Sequence, residues 1–223
     1  MSFRNRKEAG LQLAAALSRY KGQDCIVLAL PRGGVPVAAE VAEALNAPLD
    51  LILVRKIGAP WHPELAVGAV VDGGAPTIVQ LPEVMRMSGT SKKEFDEICE
   101  RERAEIERRR EHYLGGIAPL DPKGKIAILI DDGIATGATM HAALQATRRH
   151  GPKRLILAVP VASHEALEDL GSVADEVVCL EVPEPFRAVG LHYHDFDQTS
   201  DEEVIAALAR LRARPAASTN ARP

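Results

Sequence analysis

A run of five apolar residues that ends in two aspartates and a turn of small residues constrains this chain more than any other feature. The run occupies residues 126–130, the acids are Asp131 and Asp132, and the turn extends to Thr139. Five consecutive apolar residues predict a strand that is buried on both faces, as in a parallel sheet covered by helices. We therefore expect an α/β fold in which this strand ends in a polar turn.

A helix is predicted directly after the turn, over residues 139–150. Its apolar residues recur on one face, its last turn is basic and Gly151 follows it. The turn thus lies at the carboxyl end of a strand and the amino end of a helix, where free backbone N–H groups and the helix dipole attract a phosphate. The acceptor-only carboxylates of Asp131 and Asp132 suit the hydroxyls of a sugar attached to that phosphate, or a divalent metal.

Other phosphate-binding motifs fit this turn less well. A Walker A loop requires Gly-Lys-Ser/Thr, whereas Gly137 is followed by Ala138 and Thr139, and the dinucleotide fingerprint requires Gly-x-Gly-x-x-Gly. A phosphate-accepting acidic pair of the response-regulator kind would explain the two aspartates but not the Thr-Gly-Ala-Thr turn. Two polar residues that simply end a strand would leave that turn unexplained as well.

The whole string resembles the ribose 5-phosphate-binding motif of the type I phosphoribosyltransferases, which bind phosphoribosyl diphosphate. The resemblance implies that Asp131 and Asp132 are the catalytic pair and hold the ribose 2- and 3-hydroxyls. It also implies a loop around the 5-phosphate, formed by Ala135, Thr136, Gly137, Ala138 and Thr139. The implied fold is a mostly parallel sheet flanked by helices, with a small carboxyl-terminal hood over residues 182–199.

A second turn, Pro31-Arg32-Gly33-Gly34, also follows a predicted buried strand and opens a predicted helix. Its backbone amides are placed to receive an anion, its glycines allow close approach of the main chain, and Arg32 offers a fork-shaped cation to phosphate oxygens. A Gly-Gly turn at such a point is also commonly only a tight connection. In the family resembled here, the loop at this point binds the leaving diphosphate, and the Arg-Gly-Gly string is most similar to the xanthine and related purine enzymes.

Arg55 and Lys56 are further candidates for diphosphate binding. They follow a strand predicted over residues 49–54 and should lie at the same edge of the sheet as the two turns if that strand is parallel. Charged residues at a strand end are also common as a solvated boundary.

Residues 58–74 occupy the position of the family's mobile catalytic lid, and residues 67–71 and 76–80 are predicted to pair as a hairpin.

A charge-rich helix is predicted between residues 91 and 113, because Ser91 and Glu94 form a capping box and Gly115 follows. Acidic and basic residues alternate along it and mostly neutralise each other at spacings of three and four. We interpret residues 91–114 as a charged helical insertion that is solvated or lies between subunits, as it would in a homodimer.

The segment 182–196 is similar to the base-binding hood of hypoxanthine-guanine phosphoribosyltransferases. The likeness implies that Phe186 stacks on the base and that Asp195 contacts Mg²⁺, the expected cofactor. An alternative is that Phe186 and Tyr193 are core aromatics. Residues 157–161 lack the lysine with which those enzymes read the purine carbonyl, so the identity of the acceptor stays open.

The composition is that of an ordinary globular chain: of 223 residues, 46% are hydrophobic and 26% are charged. We expect one domain over residues 1–213 and a disordered tail over residues 214–223, which are small, polar or proline. A net charge of −4 without a basic, aromatic-rich stripe argues against nucleic acid as a partner. Three distant cysteines indicate neither zinc nor disulfides, and no apolar run nears the roughly 20 residues that span a membrane, which favours a cytoplasmic location.

The function predicted from these features is Mg²⁺-dependent transfer of the 5-phosphoribosyl group from phosphoribosyl diphosphate to a small heterocyclic acceptor. The acceptor would be a nitrogen of a nucleobase or related heterocycle, and diphosphate would be released. A non-catalytic protein of the same fold that senses phosphoribosyl diphosphate or a nucleotide would carry the same motif. A ribose-phosphate diphosphokinase is less favoured, because its duplicated architecture requires a longer chain and an internal repeat, which this sequence does not show.

Overall fold

The computed structural model describes residues 2–72 and 76–212. Along these ranges the strands are β1 (Cys25–Ala29), β2 (Leu49–Leu51), β3 (Val54–Ala59), β4 (His62–Val71), β5 (Thr77–Gln80), β6 (Ile126–Ile130), β7 (Arg154–Val161) and β8 (Glu176–Glu181). The α-helices are α1 (Arg6–Ala16), α2 (Gly34–Leu45), α3 (Pro82–Ser88), α4 (Lys92–Leu114), α5 (Ala138–Arg149), α6 (His164–Gly171) and α7 (Asp201–Arg212). None of these helices is long and apolar enough to cross a membrane. The predicted tail over residues 214–223 lies outside the described ranges.

Five parallel strands form the central sheet, in the order β2-β1-β6-β7-β8. β1 and β6 pair from Cys25 with Ile126 to Ala29 with Ile130, and every residue of both strands is buried. Successive residues of a strand point to opposite faces, so Ile128 packs in a cluster with α2 while its neighbours pack in a cluster with α5. Helices thus cover both faces of the sheet, which confirms the α/β fold predicted from the apolar run.

The strand predicted over residues 49–54 is wrong in its second half. β2 ends at Leu51, and a separate antiparallel sheet begins at Val54 with the order β3-β4-β5. Two hydrogen bonds draw the chain toward this second sheet: Asp72 Oδ1 accepts from the Leu53 amide at 2.8 Å, and the Asp72 amide donates to the Leu53 carbonyl at 2.9 Å. The predicted diphosphate ligands Arg55 and Lys56 therefore lie within β3 and not at the end of a parallel strand.

The predicted hairpin is confirmed, because β4 and β5 pair antiparallel from Gly68 with Gln80 to Val71 with Thr77. Its turn, at residues 73–75, lies outside the described ranges. The segment at the lid position also forms strands, since β3 and β4 pair as another hairpin whose connection contains Trp61. Trp61 is 82% exposed. The lid position is thus a β-hairpin with an exposed aromatic residue at its end.

The helix α4 has the predicted capping box at Ser91 and the predicted stop at Gly115, but it is not solvated on every side. One stripe is buried, formed by Phe95, Cys99, Ile106 and Tyr113. These residues follow one another at spacings of four and seven, which places them on one helix face. The prediction of a solvated helix is therefore wrong for this face of α4. The apolar residues of the stripe are few and widely spaced, so the many charged residues between them dominate the sequence pattern. Its placement between subunits stays a prediction.

Arg110, on α4, lies between two buried carboxylates. Its Nη1 lies 2.6 Å from Asp72 Oδ2, and its Nη2 lies 3.0 Å from Asp50 Oδ2. Asp50 and Asp72 are 2% and 5% exposed. The two carboxylates also accept backbone hydrogen bonds from Leu51, Leu53 and Leu120. Burial raises the pKa of Asp72, and the charge of Arg110 opposes that shift. These three side chains, the Arg110 cluster, fasten α4 to both sheets.

Replacement of Arg110 by methionine is expected to destabilise the fold. Arg110→Met leaves two buried carboxylates without their cation, which costs about 3–5 kcal/mol of unfolding free energy. Urea denaturation near neutral pH would measure this loss. Arg108→Met is the matched control, because the Arg108 side chain on the same helix is 67% exposed, and it should change the unfolding free energy by about 0.5 kcal/mol or less. Equal effects of the two substitutions would contradict the prediction.

Candidate active site

The two predicted turns meet at one edge of the central sheet. β1 and β6 are parallel neighbours, so the turns that follow them leave the sheet at the same edge. The Leu30 amide donates to the Ile130 carbonyl at 2.9 Å, and a Cβ atom on Gly34 would lie 2.7 Å from that same oxygen. A Cβ atom on Gly33 would overlap Asp132 Oδ2. Glycine is therefore required at both positions for the close approach of the first turn to the acidic pair.

The acidic pair is mostly buried. Asp131 Oδ1 accepts a hydrogen bond from the Asp132 amide at 2.8 Å, and Asp132 Oδ2 accepts one from Arg6 Nε at 2.7 Å. The side chain of Asp132 is 14% exposed. Burial raises the pKa of both carboxyls; the charge of Asp132 raises the pKa of Asp131 further, whereas Arg6 opposes the shift at Asp132. Because little water competes at this position, hydrogen bonds from a ligand's hydroxyls would be strong here.

The predicted 5-phosphate loop lies, as expected, between the end of β6 and the start of α5. Gly137 precedes the first residue of α5 and has a φ of 77°, a left-handed conformation that favours glycine. The first amides of an α-helix have no partners within the helix, so the amides at this turn are available to an anion. The other end of the loop is anchored by Ser163 Oγ, which donates to the Ala135 carbonyl at 2.7 Å.

Two of the three predicted diphosphate-binding cations lie beside the turns. Arg32, in the first turn itself, has its Nη1 atom 3.5 Å from a carboxylate oxygen at the start of α7. Arg55 lines a small cavity together with Pro31 and Thr139, one residue from each turn. The same cavity is lined by Arg109 of α4. Nothing in the local sequence marks Arg109, because most of its neighbours on that helix are charged too.

Lys56 faces a different space. Its ammonium pairs with Glu64 Oε2 at 3.0 Å, and its side chain lines a cavity of about 320 Å³ between the second sheet and the 5-phosphate loop. His141 of α5 and Asp169 of α6 line the same cavity, together with apolar residues of β3, β4 and β5. Lys56 therefore borders the 5-phosphate loop, on a strand that does not belong to the parallel sheet.

The carboxyl-terminal segment packs directly against the acidic turn. A Cβ atom on Gly133 would lie 2.5 Å from Val189 Cγ1. Tyr193 is 2% exposed, and its hydroxyl donates to the Asp132 carbonyl at 2.6 Å. Tyr193 is therefore a core aromatic that supports the acidic pair from behind, which bears out the core interpretation for this residue.

Phe186 is half-buried beside that segment. Its ring stacks on His192 with the centroids 5.8 Å apart and the planes inclined by 16°. It also packs against a small buried cluster formed by Phe3, Ala9, Val161 and Tyr193. The imidazole of His192 covers one face of the Phe186 ring, so a base would have to stack on the part of that ring that is still exposed. The base-stacking role of Phe186 stays a prediction.

This edge of the sheet offers few side-chain ligands for Mg²⁺. Within residues 2–72 and 76–212, no group of three or more His, Cys, Asp or Glu side chains could hold a metal ion. Mg²⁺ commonly binds through one or two carboxylates together with the phosphates of a substrate. Asp195 is exposed, and its amide donates to the Arg4 carbonyl at 2.9 Å. An exposed carboxylate fits an ion held chiefly by diphosphate, and the assignment of Asp195 as a ligand stays a prediction.

Arg6 is the site residue that the sequence patterns do not indicate. It lies in the first turn of α1, and its side chain is 12% exposed. Its partner Asp132 is 126 positions away along the chain. Helical periodicity and capping report only on near neighbours, so neither could signal this contact.

Comparison with known proteins assigns the chain to a family. A model of the phosphoribosyl transferase domain matches residues 4–195. The chain therefore belongs to the phosphoribosyl transferase domain family, which confirms the resemblance drawn from residues 126–139.

Two curated relatives come from two strains of Mycobacterium tuberculosis, and their names assign them provisionally to the phosphoribosyl transferases. Each is 45% identical to this chain over 208 residues. The match covers 93% of this chain and 46% of each relative, so the chain spans about half their length. A solved structure is also similar: the crystal structure of the protein TT1426 from Thermus thermophilus superimposes on this chain with a TM-score of 0.83. The two sequences are 45% identical, and the match covers 95% of this chain and 99% of TT1426.

Because the two turns approach so closely, adding one methyl group at Gly33 is expected to weaken ligand binding. Gly33→Ala would push Asp132 away, whereas the Gly33 φ of −58° suits alanine, so the fold should persist. Overpacking of this kind costs about 1–3 kcal/mol, and we expect the affinity for phosphoribosyl diphosphate to fall roughly tenfold or more. Calorimetry would measure the affinity of the variant and of the wild type. Gly171→Ala is the control, because a Cβ atom there meets nothing within 4 Å; equal affinities of the two variants would contradict the prediction.

Proposed function

We propose that this chain is a phosphoribosyltransferase that uses phosphoribosyl diphosphate. The observation that carries the proposal is the contact between Gly33 and Asp132, which joins the predicted diphosphate turn to the predicted ribose carboxylates. The amino end of α5 begins a few residues further on, at Ala138. Diphosphate, ribose and 5-phosphate are the three parts of this substrate. The turn, the acidic pair and the helix end offer each part a suitable partner, side by side.

Each of these partners suits its ligand chemically. Backbone amides at the start of α5 would bind the 5-phosphate. Asp131 and Asp132 would accept hydrogen bonds from the ribose hydroxyls. Arg32 and the amides of its turn would bind the diphosphate. Binding at both ends of the sugar would fix carbon 1 of the ribose in position for attack, which removes much of the entropic barrier.

The proposed reaction is a substitution at carbon 1. The bond from carbon 1 to the diphosphate oxygen breaks and its electron pair leaves with diphosphate, while the lone pair of an acceptor nitrogen forms the new bond. The two carboxylates would stabilise the positive charge that develops at carbon 1, and Arg32 would stabilise the charge on the leaving group. Mg²⁺, when bound, would neutralise further charge on the diphosphate. No covalent intermediate with the protein is required.

The proposed acceptor is a nitrogen of a nucleobase or a related heterocycle. Phe186 supports this class of acceptor, because a flat aromatic ring suits a heterocyclic base. Its neighbour Val189 packs against Gly133, which places this part of the chain next to the acidic pair. The acceptor would therefore approach carbon 1 from the side of the carboxyl-terminal segment.

A non-catalytic sensor of phosphoribosyl diphosphate is the second candidate. The observation that favours it concerns β7, in which residues 155–161 are all apolar and buried. This strand thus offers no lysine to read a purine carbonyl. A sensor would keep the site for the phosphorylated sugar without the chemistry of an acceptor.

The ribose role of the acidic pair predicts the behaviour of a neutral variant. Asp132→Asn is expected to bind phosphoribosyl diphosphate roughly tenfold more weakly, because hydrogen bonds to a charged group are worth about 1.5–3 kcal/mol. Calorimetry in the presence of Mg²⁺ would measure the loss. Asp121→Asn, at an exposed loop position, is the control and should bind as the wild type does. Unchanged affinity of Asp132→Asn would refute this assignment, and a wild type without affinity would refute the proposed function.

Diphosphate release distinguishes the two candidate functions. The wild type would be supplied with phosphoribosyl diphosphate, Mg²⁺ and a panel of purines, pyrimidines and other heterocycles. Release with one acceptor would support the transferase. Binding of phosphoribosyl diphosphate without release across the whole panel would favour the sensor.

The stacking role of Phe186 predicts a change confined to the acceptor. Phe186→Leu removes the aromatic face, and stacking of a base on an aromatic side chain is worth about 1–3 kcal/mol. We expect the KM for the acceptor to rise by roughly tenfold, with the KM for phosphoribosyl diphosphate unchanged as the internal control. Steady-state kinetics with both substrates varied would measure the two constants. A rise of both together would indicate that Phe186 only supports the fold.

A further inference from the structure

Arg6 is held on three sides at the candidate ribose site. Its Nε donates to Asp132 Oδ2 at 2.7 Å, and its Nη1 donates to the Asp197 carbonyl at 2.7 Å. Its Cζ lies 3.8 Å from the centroid of the Phe196 ring. One guanidinium thus joins the acidic pair to the carboxyl-terminal segment, and only 12% of the side chain is exposed.

The packing of α1 does not by itself require this arginine. Leu13 and Leu17 are fully buried beneath the helix. Gly10 lets α1 approach α2 closely, since a Cβ atom on it would lie 2.8 Å from a carbonyl oxygen of that helix. Apolar contacts and a close helix crossing therefore anchor α1, and the burial of Arg6 against Asp132 needs a separate reason.

The charge balance of the acidic pair provides that reason. Two neighbouring carboxylates with little access to water repel each other and lose hydration. In the part of the chain that the structure describes, Arg6 is the one cation that forms an ion pair with either of them. A carboxylate has room for about four hydrogen bonds. The bond from Arg6 can therefore fix the Asp132 side chain and still leave acceptor sites for a ligand.

We infer that Arg6 is a positioning residue for the ribose: it holds the Asp132 carboxylate in the orientation in which that group accepts a sugar hydroxyl. The inference rests on the proposed function, because it takes Asp132 to bind ribose. Arg6 acts through Asp132 and does not itself touch the substrate. A lysine would keep the positive charge but lacks the planar guanidinium, which donates to Asp132 and to the Asp197 carbonyl at the same time.

Two small probes separate this role from a general effect on the fold. Inorganic phosphate reports on the anion-binding turns without the sugar, whereas ribose 5-phosphate adds the sugar hydroxyls. Calorimetry on the full chain would measure both affinities, and we expect the wild type to prefer the ribose ester. Arg6→Gln is expected to weaken ribose 5-phosphate binding by roughly tenfold and to leave phosphate binding unchanged. Arg6→Lys should recover part of the loss.

Lys7→Gln is the matched control, because Lys7 is the exposed neighbour on the same helix, and it should bind both probes as the wild type does. An unchanged preference for the ribose ester in both Arg6 variants would overturn the inference and leave the proposed function standing. A loss shared equally by the two probes would also overturn it, since that indicates a purely structural role. A wild type without any preference would also overturn the inference, and its affinity for phosphoribosyl diphosphate would then decide the proposed function separately.

Arg6→Lys keeps the test decisive if Arg6→Gln does not fold, as judged by circular dichroism. A preference for ribose 5-phosphate that is several-fold smaller in Arg6→Lys than in the wild type would then support the inference. An unchanged preference would overturn it.

Discussion

The candidate site depends on how closely two backbone segments approach at the carboxyl edge of the central sheet. β1 and β6 pair along their full length, and the turns that follow them touch because Gly33 and Gly34 have no side chains to separate them. In the proposed function, the distance between these turns separates the main chain that would bind diphosphate from the acids that would bind the sugar. A substrate with a short pentose between its two phosphate groups cannot stretch to follow a displaced turn. Backbone geometry would therefore select the length of the proposed ligand.

Two buried clusters of the molecule each combine two acids with one arginine, and their hydrogen bonds explain their different roles. In the Arg110 cluster, the guanidinium contacts both carboxylates, and three backbone amides occupy further acceptor sites. At the acidic pair, Arg6 contacts Asp132, and Asp131 accepts a bond from a backbone amide. A polar cluster whose carboxylates accept bonds both from a guanidinium and from backbone amides makes a structure rigid. One that retains acceptor capacity can take up the hydroxyls of a ligand.

Sequence patterns predicted the elements whose signals are local. β6 has the predicted bounds, α4 has the predicted capping box, and the turn after β6 lies between a strand and a helix. The break between β2 and β3 escaped prediction, because apolar residues run on past Leu51 and the change of sheet depends on Asp72, nineteen positions beyond Leu53. Arg6 and Arg110 escaped for the same reason. Their partners are close in space and far away in sequence, whereas periodicity reports on neighbours.

The exposed end of the β3–β4 hairpin gives this molecule a built-in optical reporter. The chain contains a single tryptophan, and it is Trp61, at the connection of that hairpin and 82% exposed. Indole has an apolar body and a polar N–H group, so its emission responds to the water around it. All indole fluorescence of the chain therefore originates from one point, the connection between β3 and β4. A movement of the hairpin that buries Trp61 would shift the emission wavelength and reduce the access of quenchers, without background from a second indole.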